Sequence, residues 1–347
     1  MTRPARLAVI GAGLIGARHL TLARDEPDCE IVAGVDPDPA ARGAVEAVGA
    51  RFYAAVEPML DAETLDGVIV ATPNSAHAPV GIQCLERGLA VLMEKPFADT
   101  VRAGEALLEA AQRSGAPLAV GHHRRFDPTV ERAGSLIAAG EIGQLTGLHF
   151  LWSMRKQDAY YDVRWRTERP GGGPILINLI HDIDLMRCFG GPVSRVYAET
   201  GNDARGHAVE DIVAATLRFT SGAVGSIVAS DAAPSPWGWE LGSGENPLIP
   251  ATLQNCYQLL GTAGSIALPR LELWRHADRA TGNWHQFIGI ERAAFQPRAA
   301  LVAQLAHFCK VARREEVPRV SGAEGLATLA VTAAITVSGD TGLPVSL

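Results

Sequence analysis

Five short apolar runs punctuate the first third of the chain: Leu7–Ile10, Ile31–Val35, Val68–Ala71, Ala90–Met93 and Leu118–Val120. They carry almost no polar positions, as strands buried on both faces do, and they lack the alternation of a half-exposed strand. Segments 14–24, 39–48, 76–87 and 99–113 lie between them and read as helices. Such strand–helix alternation predicts a doubly wound parallel sheet, an α/β domain over residues 1–122. After Gly121 the texture changes. Residues 127–139 read as a helix and 145–152 as a strand. Gly171-Gly172-Gly173-Pro174 opens a helix to about Phe189, with proline in its first turn. Strands are expected near 193–199, 210–219 and 223–230, the last two joined at Thr220-Ser221-Gly222 as a hairpin. Further strands fit 255–260, 265–268 and 270–275, and helices fit 299–314 and 322–337. Residues 123–347 therefore predict an α+β domain with an open, mainly antiparallel sheet. Its last helix is a candidate for packing back on the first domain. Stretch 232–252, with four prolines, is the longest irregular region, and long ordered loops are often functional.

Bulk properties narrow the class. The chain has 347 residues, 47% hydrophobic and 20% charged, with net charge −7. No Lys/Arg run forms a basic stripe, which argues against a nucleic-acid partner. The apolar run at the N-terminus is too short for a signal-peptide core, and no stretch reads as the ~20 apolar residues of a membrane span. Cys29, Cys84, Cys188, Cys256 and Cys309 are scattered and form no Cys-x-x-Cys. Reduced thiols in the cytoplasm, and no metal site, are the expectation.

Gly11-Ala12-Gly13-Leu14-Ile15-Gly16 follows the first expected strand and opens the first expected helix. In that context Gly-x-Gly-x-x-Gly is a dinucleotide fingerprint. Gly11 allows the tight turn, Gly13 the approach of the pyrophosphate, and Gly16 close helix–strand packing. Leu14 and Ile15 belong to the same turn, whose helix N-terminus offers N–H donors to phosphates. Asp36 ends the second strand about 20 residues on, where a carboxylate bonds the ribose hydroxyls. Asp36-Pro37, with the nearest arginine at Arg42, favours NAD over NADP, because a 2′-phosphate would meet a carboxylate.

Ala71-Thr72-Pro73-Asn74-Ser75-Ala76-His77, Glu94-Lys95-Pro96, Val120-Gly121-His122-His123-Arg124-Arg125-Phe126, Trp165-Arg166, Gly171-Gly172-Gly173 and His181-Asp182-Ile183-Asp184 follow in order. Together they resemble the glucose–fructose oxidoreductase / inositol dehydrogenase (Gfo/Idh/MocA) family, over essentially the whole chain. The resemblance implies an NAD(P)-dependent oxidoreductase acting on a secondary alcohol or ketone of a sugar, cyclitol, sugar acid or related cyclic polyol. It implies a homodimer or homotetramer built through the antiparallel sheet. It further implies that Thr72, Pro73, Asn74 and His77 line the cofactor, with Glu94 and Lys95 beside the nicotinamide. His123 would lie at the cofactor–substrate junction, Trp165 and Arg166 would reach the cofactor or close the cleft, and His181 would face the reacting carbon. Lys95 and His181 are then the candidates for the proton step, since either can gain and lose a proton when its surroundings tune it. Lys95-Pro96 is expected to be cis or tightly turned.

The sequence also departs from that pattern. Many relatives carry Asp four residues before the helix histidine, where Ile177 stands here. Asn178 follows, able to orient a substrate but not to act as a base. Trp237 could stack on a sugar ring or fill an interface. Arg124, Arg155 and Arg166 could form a carboxylate-binding cluster if they converge. Two other functions remain open on this fold: a glycoside hydrolase using NAD for transient oxidation, and a dinucleotide-binding sensor without catalysis.

Overall fold

A computed structural model describes residues 3–278 and 281–347. The chain divides into two compact units, 1–123 with 301–329, and 124–300 with 330–347.

In the first unit the strands are β1 (Ala5–Ile10), β2 (Cys29–Val35), β3 (Arg51–Tyr53), β4 (Gly67–Val70), β5 (Ala90–Met93) and β6 (Leu118–Val120). The helices are α1 (Leu14–Ala23), α2 (Arg42–Glu46), α3 (Val56–Ala62), α4 (Asn74–Glu86) and α5 (Val101–Ser114). The strands form one parallel sheet in the order β3-β2-β1-β4-β5-β6. Every residue of β4 and β5 is buried, which is why their sequences are continuous apolar runs. The order reverses beside β1, and ligands bind at the carboxyl ends of strands at such a switch point.

Three elements depart from the pattern the sequence predicts. β3 was not expected, because Arg51-Phe52-Tyr53 is short, partly exposed and not apolar throughout. Helix α3 was not expected either. The single helix expected over 39–48 is a 3₁₀ turn, Pro39–Ala41, followed by α2.

The second unit holds α6 (Pro128–Ala138), β7 (Leu145–Ser153), α7 (Ile180–Gly190), β8 (Val193–Gly201), β9 (Ile212–Phe219) and β10 (Val224–Ser230). Then come α8 (Trp239–Ser243), β11 (Tyr257–Gly261), β12 (Ser265–Leu268), β13 (Glu272–Arg275) and β14 (Gly289–Arg292). Its sheet runs β14-β13-β12-β11-β7-β10-β9-β8-β15, where β15 is Val345–Ser346. Pairing is antiparallel except between β7 and β10. The hairpin β9–β10 turns at Gly222, whose φ of 90° suits glycine. Strand β14 was not foreseen, since Gly-Ile-Glu-Arg at a sheet edge carries no apolar pattern.

Two further helices, α9 (Ala300–Ala312) and α10 (Gly322–Thr341), close the chain. Residues 301–329 belong with the first unit and not with the segment that precedes them. The reason is packing: Leu305, Phe308, Cys309 and Val311 of α9 join Leu7, Val9 and Leu20 in one core. Helix α10 passes from the first unit to the second after Leu329. Contrary to the sequence reading, it is long and apolar enough to cross a membrane by length and composition, with half of that window buried. Val331, Ala334 and Ile335 sit in the second unit's core, as in a core helix of a folded domain.

Candidate functional site

At the switch point, Gly11 has φ +91° and donates its N–H to Val35 O at 2.7 Å. A Cβ there would lie 2.6 Å from Ala71 O, and one on Gly16 would lie 1.8 Å from Gly11 O. No side chain fits at either position. A Cβ on Gly13 meets nothing within 4 Å, and Leu14 is fully exposed, so the start of α1 is open to a ligand. The Asp36 carboxylate is fixed from both sides, accepting from Ala12 N at 2.7 Å and Asp38 N at 2.9 Å. Arg42 is held elsewhere, against Glu46 at 3.2 Å and over the Phe52 ring. Thr72 Oγ1 is shielded from solvent without a hydrogen-bond partner. An open phosphate turn, a fixed carboxylate at the end of β2 and an orphan hydroxyl past β4 fit a dinucleotide.

Past β5 stands Glu94, 5% exposed, with His19 Nε2 2.7 Å from its Oε1. Burial pushes this carboxyl up, but the bond and charge of His19, with Lys95 and His123, hold it down at about 2. It therefore stays ionised, and it also accepts from the backbone N–H of Lys95 at 3.2 Å. Lys95-Pro96 is cis, one of the two forms expected. His77 is buried, with Nδ1 2.8 Å from Pro96 O and Nε2 2.9 Å from Thr72 O. It ties the loops after β4 and β5 together, so its nitrogens serve the scaffold. Pro73 is exposed, while Asn74 opens α4. Of the adjacent histidines, His122 is buried and His123 partly exposed. His19 is a site neighbour that no motif announces; its one signal in the sequence is a histidine three residues past Gly16 on a buried helix face.

In the second unit the expected helix from Gly171 begins at Ile175, and its first turn, Ile175–Leu179, is a π turn. Such turns recur at functional sites. Asn178 lies in it, and His181, 7% exposed, lies on α7. Asn178 Oδ1 accepts from Lys156 Nζ at 2.7 Å, another partner the sequence did not single out. The carboxylates beside His181 are committed to other cations. Asp184 takes a two-pronged bond from Arg125 at 2.7 and 2.8 Å, and Asp182 faces Tyr257 and Arg124. Among the described residues no group of three His, Cys, Asp or Glu could hold a metal. Trp237 is exposed, whereas Trp239 is fully buried and stacks on Tyr257. Trp165 is half-exposed and Arg166 lies over Tyr160. The supposed arginine cluster does not form. Arg124 is buried among carboxylates and exposed Arg155 pairs with Asp158.

Residues 5–122 match the oxidoreductase family model with an NAD-binding Rossmann fold, and 130–267 match the GFO/IDH/MocA C-terminal domain. The D-apiose dehydrogenase of Paraburkholderia graminis is 30% identical over 98% of this chain and 89% of its own. An inositol 2-dehydrogenase of Corynebacterium glutamicum is 35% identical over 43% of this chain, a match that spans only 46% of that relative. Among solved structures, the WlbA dehydrogenase of Bordetella pertussis, in complex with NADH and UDP-GlcNAcA, superposes with TM-score 0.79 at 26% identity. That superposition covers 99% of each chain. With both family models matched and one relative aligned almost end to end, the chain belongs to the GFO/IDH/MocA family of oxidoreductases, with an N-terminal NAD-binding Rossmann domain.

Proposed function

We propose that this protein is an NAD-dependent dehydrogenase. Its substrate would be a secondary alcohol, or the matching ketone, of a sugar, cyclitol, sugar acid or related cyclic polyol. The observation that carries this reading is the set of groups at one edge of the parallel sheet. Gly11–Gly16, Asp36 and Thr72 fit the dinucleotide, and Lys95 follows the ionised, buried Glu94 at the carboxyl end of β5. NAD supplies the hydride chemistry when bound. What remains for this chain is to bind, to orient, and to move one proton. Lys95 is the group for that proton, and Glu94 and His77 fix the loop that presents it. His181 and Asn178 of the second unit read the substrate's polar groups, with Trp237 as an exposed flat surface for an apolar ring face. The named activities of the apiose and inositol dehydrogenases support this substrate class. Screening sugars, inositols and aldonic acids for NADH formation tests the reading. The absence of turnover across all three classes, with NADH still bound, would refute it.

Cofactor choice follows from Asp36. A 2′-phosphate would meet a carboxylate that two backbone N–H groups already fix in place, and Arg42 is engaged elsewhere. We expect kcat/KM to favour NAD over NADP by ~10-fold or more, the value of one lost charge-assisted contact. Asp36→Ser with Pro37→Arg should move the ratio toward NADP. A wild-type preference for NADP would contradict the assignment.

The assembly is expected to be a homodimer or homotetramer. In β9 alternate residues are exposed, and Ile212, Val224 and Val228 leave apolar surface on the open sheet face. Sedimentation at micromolar concentration checks this, and a monomer there would contradict it.

A further inference from the structure

Lysine has donors only, so the 2.7 Å bond from Lys156 Nζ fixes which end of the Asn178 amide faces it. Oδ1 is consumed, and Nδ2 is left without an acceptor among the described residues. Asn178 therefore offers a donor to a ligand. Lys156 is itself fixed. Its backbone N–H donates to Asp231 O at 2.9 Å, its carbonyl accepts from Arg205 at 2.9 Å, and its side chain is 11% exposed. Its Nζ also lies 3.5 Å from an oxygen of Asp231, which accepts from Tyr161. A second cation shares the neighbourhood. Arg166 lies 4.1 Å from the centre of the Tyr160 ring, and Lys156 Nζ lies 4.5 Å from the same centre. Arg166 donates to Tyr160 O, yet its Nε is shut off from solvent with no partner. Two cations on one aromatic ring, an oriented amide donor and an orphan guanidinium N–H ask for an acceptor, and for a negative one.

We propose that Lys156, Asn178 and Arg166 form an anion subsite that selects a substrate bearing a carboxylate, a polyhydroxy or sugar acid, over its neutral counterpart. This rests on the dehydrogenase reading above and narrows it. Lys156 acts as a positioning residue, setting the Asn178 amide, and as a source of positive potential.

The test compares an aldonate or uronate with the neutral sugar of the same configuration, using NAD and the intact protein. The acid should have the higher kcat/KM. Asn178→Asp keeps a partner for Lys156, so the fold should hold, but it turns a carboxylate toward the ligand. It should raise KM for the acid ~10-fold or more beyond whatever change it makes in KM for the neutral sugar, so that the acid-to-neutral preference falls by that factor. Lys156→Met should do the same, and Lys156→Arg should restore most of the preference. A second arm needs no turnover: calorimetric titration with malonate at fixed ionic strength. Binding that weakens ~10-fold in Asn178→Asp supports the subsite, and binding that is absent in the wild type or unchanged in the variant overturns it. Equal or better use of neutral sugars, with the ratio untouched by both substitutions, also overturns it and leaves the dehydrogenase reading standing. If nothing is turned over, that broader reading fails and the malonate arm alone decides the subsite.

Discussion

Lys95→Ala is expected to lower kcat by ~10²-fold or more, the low end of a general acid–base contribution, while NADH affinity stays within a few-fold. The supports of this lysine do not depend on its side chain. Glu94 is anchored by His19, and Pro96 O is gripped by His77. The dinucleotide groups belong to other strands. Truncation should thus remove the proton-handling amine and little else. Fluorescence titration with NADH measures the binding half, and steady-state rates on the true substrate measure the other. Added primary amines should recover part of the lost rate if a missing ammonium is the cause. His181→Ala should instead change the pH profile of kcat/KM, and Asn178→Ala should act through KM. Near-normal kcat in Lys95→Ala would place the proton path elsewhere.

The legible parts of this molecule were those in which local chemistry and global fold agree. β4 and β5 are apolar throughout because both faces are covered, and Gly11 and Gly16 stand where no Cβ fits. The carboxylate at the end of β2 could be read from spacing alone. What escaped were contacts between residues far apart in sequence. The His19–Glu94 pair spans 75 residues and Lys156–Asn178 spans 22, so no periodicity announces them. Whether three arginines converge is hidden for the same reason. Arg124, Arg155 and Arg166 look alike as letters, but only burial distinguishes a core guanidinium from a surface one. Strands β3 and β14 escaped because edge strands are short and partly polar, which hides their pattern. Helix α9 was visible as a helix, but which unit it would join depends on the apolar face it finds, and α1 and β1 provide that face.

Arg124 supports the other large effect. Its guanidinium is 2% exposed and meets Glu240 at 2.7 Å, Glu245 at 3.0 Å and Asp182 at 3.6 Å. Trp152 and Trp239 donate their indole N–H groups to Glu240 and Glu245. The network ties α8 and the irregular stretch around it to α7, next to His181. Arg124→Leu would leave buried Asp182 and part-buried Glu240 and Glu245 without their cation, and breaking a buried pair from one side costs about 3–5 kcal/mol. A fall in Tm of about 6–20 °C is expected, since about 1 kcal/mol moves a domain this size by ~2–4 °C. One cation against three carboxylates also favours keeping a proton. Burial pushes Asp182 up, Arg124 opposes, and Glu240 and Glu245 add to the rise, so its carboxyl sits at about 7. Tyr257 bonds it, and Cys256 lies in the same field. A raised folded-state pKa means that the folded protein keeps a proton the unfolded chain gives up. Stability from this group is therefore complete below the unfolded carboxylate pKa of about 4 and is lost as pH rises to about 7. Asp182→Asn keeps the shape and removes the titration. Its Tm relative to the wild type should climb between pH 4 and 7 and then level off. A difference that stays flat across that window would show that Asp182 titrates normally and that the three carboxylates share Arg124 without a held proton.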